Sequence, residues 1–268
     1  GTQIHLDHSG GAWKFAKNGA KIYVHPIGAP HLENPERLIA SASKIYGDKM
    51  KQLWGKVDNI NANNIISVDH NETINIGNME IKALHTPGHT MESTTYLLTD
   101  SSKKDIAIFS GDTLFIGDVG RPDLAQKSND ISQEDLAGIL YDSLRKKIMP
   151  LDDDVLVYPA HGAGSACGKN LSSKTVSTIG EQKKTNYALR ENMSKDEFIR
   201  EVTQGLTPPP NYFPLNVKMN KEGYDDITLL KKDGNFSSSI GLRSIWAING
   251  VNNITEKPLF GSCLLYTS

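Results

Sequence analysis

Four short clusters of metal-ligand residues constrain the fold of this chain more than any other feature. One cluster is the run Leu-His-Thr-Pro-Gly-His-Thr at residues 84–90, which contains His89, and the others end at His8, Asp112 and His161. Each follows a short apolar run and ends beside a glycine or proline turn, as loops after β-strands do. We therefore predict a sheet whose strand-end loops converge on a metal. Five of the eight histidines lie in these clusters, which argues against chance.

The bulk composition excludes several classes of function. With 268 residues the chain can bury one core, and a net charge of −2 argues against a nucleic-acid surface or a polybasic membrane patch. No apolar stretch approaches the roughly 20 residues that a membrane span needs. Two cysteines, Cys167 and Cys263, exclude a disulfide framework and favour a reducing compartment, so we expect a cytoplasmic protein.

Strand and helix signals alternate along the chain. Glycine and asparagine at positions 77 and 78 predict a β-hairpin, and serines at 132 and 194 predict helix starts. A further helix should begin at residues 34–36 and be interrupted near Gly47. The helix that begins at residue 194 should end near Gly205. The predicted strands cover residues 21–25, 74–76, 79–84, 94–98, 106–109 and 155–158. This pattern predicts an α/β fold, an αββα sandwich.

The ligand chemistry indicates zinc or iron, because imidazole and carboxylate are the side chains that suit both ions. If residues 3–8 are extended, Gln3, His5 and Asp7 share one face and His8 turns off beside it. Asp112 is suited to bridge two ions, since its carboxylate offers two oxygens.

The order of these motifs, Gln-x-His-x-Asp-His, then His, Asp and His, resembles the metallo-β-lactamase superfamily. The resemblance implies the αββα sandwich, with N-terminal strands missing from this chain, and Asp7 and Asp112 as catalytic residues. It implies one Fe(II) ion or up to two Zn(II) ions. It assigns the first metal to His5, His89, Asp112 and the Gln3 position, and the second to Asp7, His8, Asp112 and His161.

Gln3 departs from the family pattern, which has histidine at this position. A neutral amide oxygen is a weaker ligand than imidazole, so we expect an impaired first site and a complete second one. The codons for histidine and glutamine differ by one base, and both a sequence error and a real loss of the ligand are open.

Longer segments resemble the persulfide dioxygenases of this superfamily, namely residues 85–96, 111–124 and 158–169. The match runs from about residue 81 to 224 and is nearest to members fused to a rhodanese domain. It implies oxidation of a low-molecular-weight thiol persulfide, such as glutathione persulfide, to sulfite by Fe(II) and dioxygen. We accordingly expect a metallo-β-lactamase-like domain at 1–224 with a proline-rich segment at 206–224. Residues 225–268 would be a linker or the truncated start of a rhodanese-like domain, ending in a cloning scar.

Two other functions stay open. Residues 9–60 resemble another hydrolase branch, which a chimera joined between residues 60 and 85 would explain. A thioester hydrolase like glyoxalase II would use two metals to lower the pKa of a bridging water towards about 7. The third alternative is an inactive, truncated metal-binding fragment.

Three residues near the motifs are candidates for substrate binding. Arg121 could hold a carboxylate or form a salt bridge within Arg-Pro-Asp, and Cys167 could carry persulfide sulfur or be an inert buried thiol. Lys169 could attract an anionic thiol or be solvated. We expect His85 to hydrogen-bond its loop, and we assign no chemistry to His25, His31 or His70. A small thiol persulfide or thioester is the expected partner, without nucleic acid or membrane, and a homodimer is left open.

Overall fold

The computed structural model describes residues 1–125, 131–163, 165, 167–169 and 171–206. The strands are β1 Ile22–Val24, β2 Ile65–Ser67, β3 Thr73–Ile76, β4 Met79–His85, β5 Thr94–Thr99, β6 Asp105–Gly111, β7 Leu156–Pro159 and β8 Ser177–Thr178. The α-helices of the described part are α1 Leu6–Ser9, α2 Ala12–Lys17, α3 Ala29–Glu33, α4 Glu36–Tyr46, α5 Met50–Trp54, α6 Gln133–Ser143, α7 Ile179–Thr185 and α8 Lys195–Thr203. The expected proline-rich segment at 206–224, apart from residue 206, and the expected segment at 225–268 lie outside the described residues.

The larger sheet is mixed and has the strand order β3-β4-β5-β6-β7-β8. Its neighbours are antiparallel except for β6 and β7, which run parallel. A parallel pair needs a long crossover, and α6 lies in the connection between these two strands. The predicted hairpin is confirmed, since Gly77 turns at φ +62° between the paired residues Ile76 and Met79.

Two apolar layers cover the two faces of this sheet. Leu84 and Leu97 belong to the core shared with α6 and α8, whereas their neighbours Ala83 and Tyr96 belong to a cluster with Ile66 of β2. This alternation is the period of two that a strand buried on both faces requires. β1 and β2 form a separate parallel pair, and a third apolar cluster joins β1 to α2 and α3. The predicted αββα layering is therefore confirmed.

Serine caps begin the helices on the far side of the large sheet. Ser132 Oγ accepts a 3.0 Å hydrogen bond from the Asp135 N–H, and Ser194 Oγ accepts one of 3.2 Å from Glu197. Each cap satisfies an amide that the first helical turn leaves unpaired. The predicted starts of α6 and α8 are confirmed, and Gly205 at φ +65° follows the end of α8. Gly47, at φ +54°, separates α4 from α5 as predicted.

The expectation of an extended ligand segment at residues 3–8 was wrong. The chain turns into α1 at Leu6, and the N–H groups of His8 and Ser9 both donate to the His5 carbonyl at 2.9 Å. Ser9 Oγ adds a 2.8 Å hydrogen bond to the Ile4 carbonyl. Asp7 and His8 therefore project from a helical turn, whereas Gln3 and His5 precede it. None of the described helices has the length and apolar character that crossing a membrane requires.

Candidate metal centre

All seven candidate metal ligands meet at one edge of the large sheet. Gln3 and His5 precede α1, and Asp7 and His8 lie in it. His89 follows β4, Asp112 follows β6 and His161 follows β7. The loops after these strands converge as the sequence predicted, although α1 rather than an extended segment delivers Asp7 and His8. The seven side chains divide into two sets around Asp112.

The second ligand set is Asp7, His8, His161 and the Oδ1 atom of Asp112. His161 Nε2 lies 3.2 Å from Asp7 Oδ2 and 3.4 Å from Asp112 Oδ1. His8 Nε2 lies 3.6 and 3.5 Å from the same two oxygens. Ligands about 2.1 Å from a tetrahedral zinc ion are separated by about 3.4 Å from one another. The four histidine–carboxylate distances therefore agree with the spacing that a metal ion of this size requires.

The first ligand set is Gln3, His5, His89 and the Oδ2 atom of Asp112. His89 Nε2 lies 3.2 Å from Asp112 Oδ2, and the rings of His5 and His89 stand edge to face with centroids 5.3 Å apart. Gln3 Nε2 donates to Asp112 Oδ2 at 3.1 Å and lies 3.3 Å from His5 Nδ1. The amide hydrogens of Gln3 thus point to the place where a cation would bind. Coordination through Gln3 Oε1 requires the amide to turn over.

Buried polar atoms support metal binding at both sets. Gln3 Oε1, His8 Nε2, His89 Nε2 and Asp112 Oδ1 are buried and, within the described part of the chain, have no hydrogen-bond partner. An unsatisfied buried polar atom costs about 1–3 kcal/mol. A cation in each set would satisfy the lone pairs of His8, His89 and Asp112, so these residues fit a metal, whereas Gln3 Oε1 would reach it only after the amide turned over.

The electrostatics of the pocket favour ionised carboxylates. Burial opposes ionisation of Asp112, but the neighbouring imidazoles of His8 and then His89 outweigh it and hold the pKa of Asp112 below its ordinary value. The pKa of Asp7 is also lowered, because its bond to His161 and the charge of His8 exceed the effect of burial. For His8 burial is again outweighed, and Asp112 raises its pKa. Burial and then His89 lower the pKa of His5.

Backbone and hydroxyl groups orient two of the imidazoles. His89 Nδ1 lies 2.9 Å from the Arg121 carbonyl, which accepts the ring hydrogen and leaves Nε2 with the lone pair. His8 Nδ1 lies 3.1 Å from Thr2 Oγ1, and Nε2 again faces the carboxylates. Sequence reasoning missed Thr2 and the Arg121 carbonyl, because no motif marks a hydroxyl or carbonyl that orients a ligand.

Two glycines allow the ligand loops to approach their neighbours. Gly88 has φ +141°, and a Cβ there would lie 2.4 Å from Leu140 Cβ in α6. A Cβ on Gly120 would lie 2.0 Å from the Asp112 carbonyl oxygen and 3.1 Å from His89 Cγ. Both positions are closed to any side chain, so the placement of His89 and Asp112 depends on glycine.

The structure gives each proposed substrate-binding residue a local partner. The Arg121 guanidinium forms a bidentate pair with Asp123, through Nε at 2.8 Å and Nη2 at 2.6 Å, as the alternative interpretation expected. Lys169 Nζ donates to the carbonyls of Glu201 and Gln204 at the end of α8. Contact of Arg121 or Lys169 with substrate stays a prediction.

Cys167 is buried near the second ligand set. One ligand atom each of Cys167, Asp112 and His161 lie within 4.8 Å of one another. The thiol is therefore close enough to exchange sulfur with a substrate held by these side chains, and this role also stays a prediction. The expectation for His85 agrees with the geometry, since its Nε2 lies 2.8 Å from the Met91 carbonyl within the same loop.

Comparison with known proteins identifies the family. Residues 2–161, which include all seven candidate ligands, match the sequence model of the metallo-beta-lactamase superfamily. The chain belongs to this superfamily. A metallo-beta-lactamase from Staphylococcus aureus subsp. aureus COL, solved by crystallography, superposes with a TM-score of 0.59 at 33% identity. The superposition covers 84% of this chain and 57% of the staphylococcal one.

Two relatives of this chain have different names. The mitochondrial persulfide dioxygenase of Homo sapiens is 30% identical over 155 residues, which are 58% of this chain and 52% of the human protein. Glyoxylase B2 of Dictyostelium discoideum is 28% identical over 210 residues, covering 76% of this chain and 61% of that protein. The chain thus spans about half the length of the human relative.

Proposed function

We propose that this superfamily member catalyses the metal-dependent oxidation of a low-molecular-weight thiol persulfide, such as glutathione persulfide, to sulfite. The observation that carries the proposal is that three buried residues, Gln3, His89 and Asp112, meet at one carboxylate oxygen. His89 Nε2 lies 3.2 Å from Asp112 Oδ2, and Gln3 Nε2 lies 3.1 Å from the same atom. Two histidines and one carboxylate are the ligand set of many mononuclear iron oxygenases, and Gln3 occupies the place of one of the histidines. The similarity to the human persulfide dioxygenase supports the same reaction.

The reaction converts a persulfide, dioxygen and water into a thiol, sulfite and two protons. The terminal sulfur loses four electrons, dioxygen accepts them, and the bond between the two sulfur atoms is broken. Gln3, His89 and Asp112 would hold an iron(II) ion, which would supply the redox chemistry and offer its other coordination positions to the reactants. The remaining work falls to the residues of the chain.

The pocket residues bind the substrate and control its charge. With Asp7 and Asp112 ionised, the pocket without metal is negative and would repel a persulfide anion, so substrate binding depends on prior binding of a cation. His89 and Asp112 are fully buried, which keeps bulk water away from the reacting sulfur. Cys167 lies beside Asp112 and His161, where it could receive or return a persulfide sulfur.

Gln3 makes this proposal sharply testable. The chain and its Gln3→His and Gln3→Leu variants are loaded with Fe(II) without oxygen and assayed with glutathione persulfide for oxygen consumption and sulfite. We expect low turnover for the unmodified chain, an increase of about tenfold or more in Gln3→His, and none in Gln3→Leu. Equal turnover in all three would show that the Gln3 position holds no iron and would exclude this assignment.

A metal-dependent thioester hydrolase is the second candidate, and the second ligand set favours it. Asp7, His8, His161 and Asp112 retain metal-ligand spacing without any contribution from Gln3. The same preparations loaded with zinc are therefore assayed for hydrolysis of S-lactoylglutathione. Hydrolysis that is insensitive to Gln3→His, with no sulfite from persulfide, would establish this reaction instead. Absence of both activities from the unmodified chain and from Gln3→His would identify a metal-binding chain without turnover.

A further inference from the structure

A second cluster of ligand-type side chains lies at the ends of three strands. His25 directly follows β1, Asp69 is two residues beyond β2, and His85 is the last residue of β4. β1 and β2 run parallel, so their carboxyl ends meet, and they pack on the face of β4 through the cluster that contains Ile66 and Ala83. One ligand atom from each of His25, Asp69 and His85 lies within 4.8 Å of the other two. None of these residues belongs to the metal centre described above, which is called the main centre from here on.

His25 presents a buried nitrogen that lacks a hydrogen bond. The residue is 4% exposed, and its Nε2 has no hydrogen-bond partner among the described residues. The carboxylate oxygen Oδ1 of Asp69 lies 3.4 Å from this nitrogen. A buried polar atom in this state is unfavourable unless a ligand satisfies it. Nε2 of His25 is thus aimed at Asp69, but it makes no hydrogen bond of good geometry with that carboxylate.

His85 is held in the tautomer that a metal ligand needs. Its Nε2 lies 2.8 Å from the Met91 carbonyl, which can only accept, so the ring hydrogen is on Nε2 and the lone pair is on Nδ1. Histidines that bind metals usually donate their other ring hydrogen to a carbonyl or carboxylate in this way. The ring of His85 stacks on that of His25 with centroids 3.9 Å apart.

The charges of the cluster are those of a cation site. Burial and then His85 lower the pKa of His25, which keeps this imidazole neutral at physiological pH. The N–H of His70 donates to Asp69 Oδ1 at 2.6 Å and lowers the pKa of Asp69, which stays a carboxylate. Lys147 is the neighbouring cation, and its ammonium donates to the His85 carbonyl. Its repulsion should make the cluster a weaker site than the main centre.

We propose that His25, Asp69 and His85 form an additional binding site for a zinc-type divalent cation. Two imidazoles and one carboxylate leave a fourth position open to water, as in zinc sites with three protein ligands. Binding through His25 Nε2 moves the ring hydrogen to Nδ1 and gives up the long 3.3 Å hydrogen bond from the Ile27 N–H. One of the stacked rings must also turn so that both lone pairs converge, and Asp69 is exposed and free to follow.

The test counts zinc equivalents in the whole chain. Metal-stripped protein is titrated with zinc chloride by calorimetry, and the bound metal is counted by mass spectrometry after desalting. The set comprises the unmodified chain, His25→Asn, Asp69→Ala and, as a matched exposed acid outside the cluster, Asp152→Ala. A parallel set carries His161→Ala, which disables the main centre.

We expect Asp69→Ala and His25→Asn to bind one equivalent less than the unmodified chain, and Asp152→Ala to bind the same. In the His161→Ala background one equivalent of zinc should still bind, with micromolar affinity. This equivalent should be lost when Asp69→Ala is added. Asp69 is exposed, so its substitution tests the site even if His25→Asn fails to fold. Unchanged stoichiometry in Asp69→Ala, or no equivalent left in the His161→Ala background, would overturn the proposal.

Discussion

The side-chain amide of Gln3 donates to Asp112 Oδ2 at 3.1 Å, and Asp112 Oδ1 lies among the ligands of the second set. One carboxylate therefore faces an amide on one side and a metal-ligand cluster on the other. The amide hydrogen partly replaces the charge of a cation at the first set. The chain consequently has one complete ligand set and one that a single side chain obstructs.

Replacing Gln3 with histidine should raise the zinc content of the main centre by one equivalent. Imidazole supplies the lone pair that the amide withholds, and removal of the amide frees Asp112 Oδ2. Metal counting by mass spectrometry on the variant and the unmodified chain checks this, with His25→Asn present in both so that the second cluster does not contribute. An unchanged count would mean that the loss at position 3 is not what limits the first set.

His161 and His89 should differ in their effect on the first equivalent of zinc. His161 Nε2 lies 3.2 and 3.4 Å from the two carboxylates of the complete set, whereas His89 Nε2 lies 3.2 Å from Asp112 Oδ2 in the first set. We expect His161→Ala to lower the affinity for the first zinc ion bound about 100-fold or more, and His89→Ala to lower it less than tenfold. Competition against a chromogenic chelator measures both affinities. The reverse order would place the metal in the first set.

Zinc affinity at the main centre should fall as the pH is lowered, and the fall should begin at a pH above the ordinary pKa of histidine. Asp112 raises the pKa of His8 despite burial, so a proton competes with the metal for Nε2 at a higher pH than at a free imidazole. One displaced proton lowers the affinity about tenfold per pH unit below that pKa. Calorimetric titrations between pH 5 and 8 check this, and Asp112→Asn should shift the dependence to lower pH. A flat profile would contradict the pairing.

Gly88→Ala should destabilise the fold strongly. The new Cβ would lie 2.4 Å from Leu140 Cβ, at a backbone φ of +141° that alanine rarely adopts. Overpacking of a core typically costs about 1–3 kcal/mol, and the backbone strain adds to it. Urea unfolding of the metal-free protein measures the loss. Gly11→Ala is the matched control, since a Cβ at Gly11 meets nothing within 4 Å, and an equally stable Gly88→Ala would contradict the packing.

Local signals predicted the elements that have local causes. Ser132 and Ser194 start helices because a serine hydroxyl caps the amide three residues on, and Gly77 makes a hairpin because glycine tolerates the positive φ. The four-residue helix α1 was not predictable in this way. A single turn has no apolar period, and its stability comes from Ser9 bonding to the Ile4 carbonyl.

The main centre was predictable because its ligands occur in short motifs, whereas the His25 cluster was not. His25 and Asp69 are 44 positions apart, and only the parallel pairing of β1 with β2 brings the ends of these strands together. Asp69 is followed by His70, but His25 has no residue of ligand type beside it in the sequence. The sequence therefore offered no reason to assign chemistry to His25, and the register of the small sheet supplied it.

The contact between Gly88 and Leu140 links the chemistry at the edge of the sheet to the helical layer behind it. His89 receives its position from α6, which supplies none of the candidate ligands. The loops in front of the metals can therefore change in length and composition while the ligands keep their spacing. In a scaffold of this kind the helix that fixes the ligand spacing is separate from the loops that would meet a substrate.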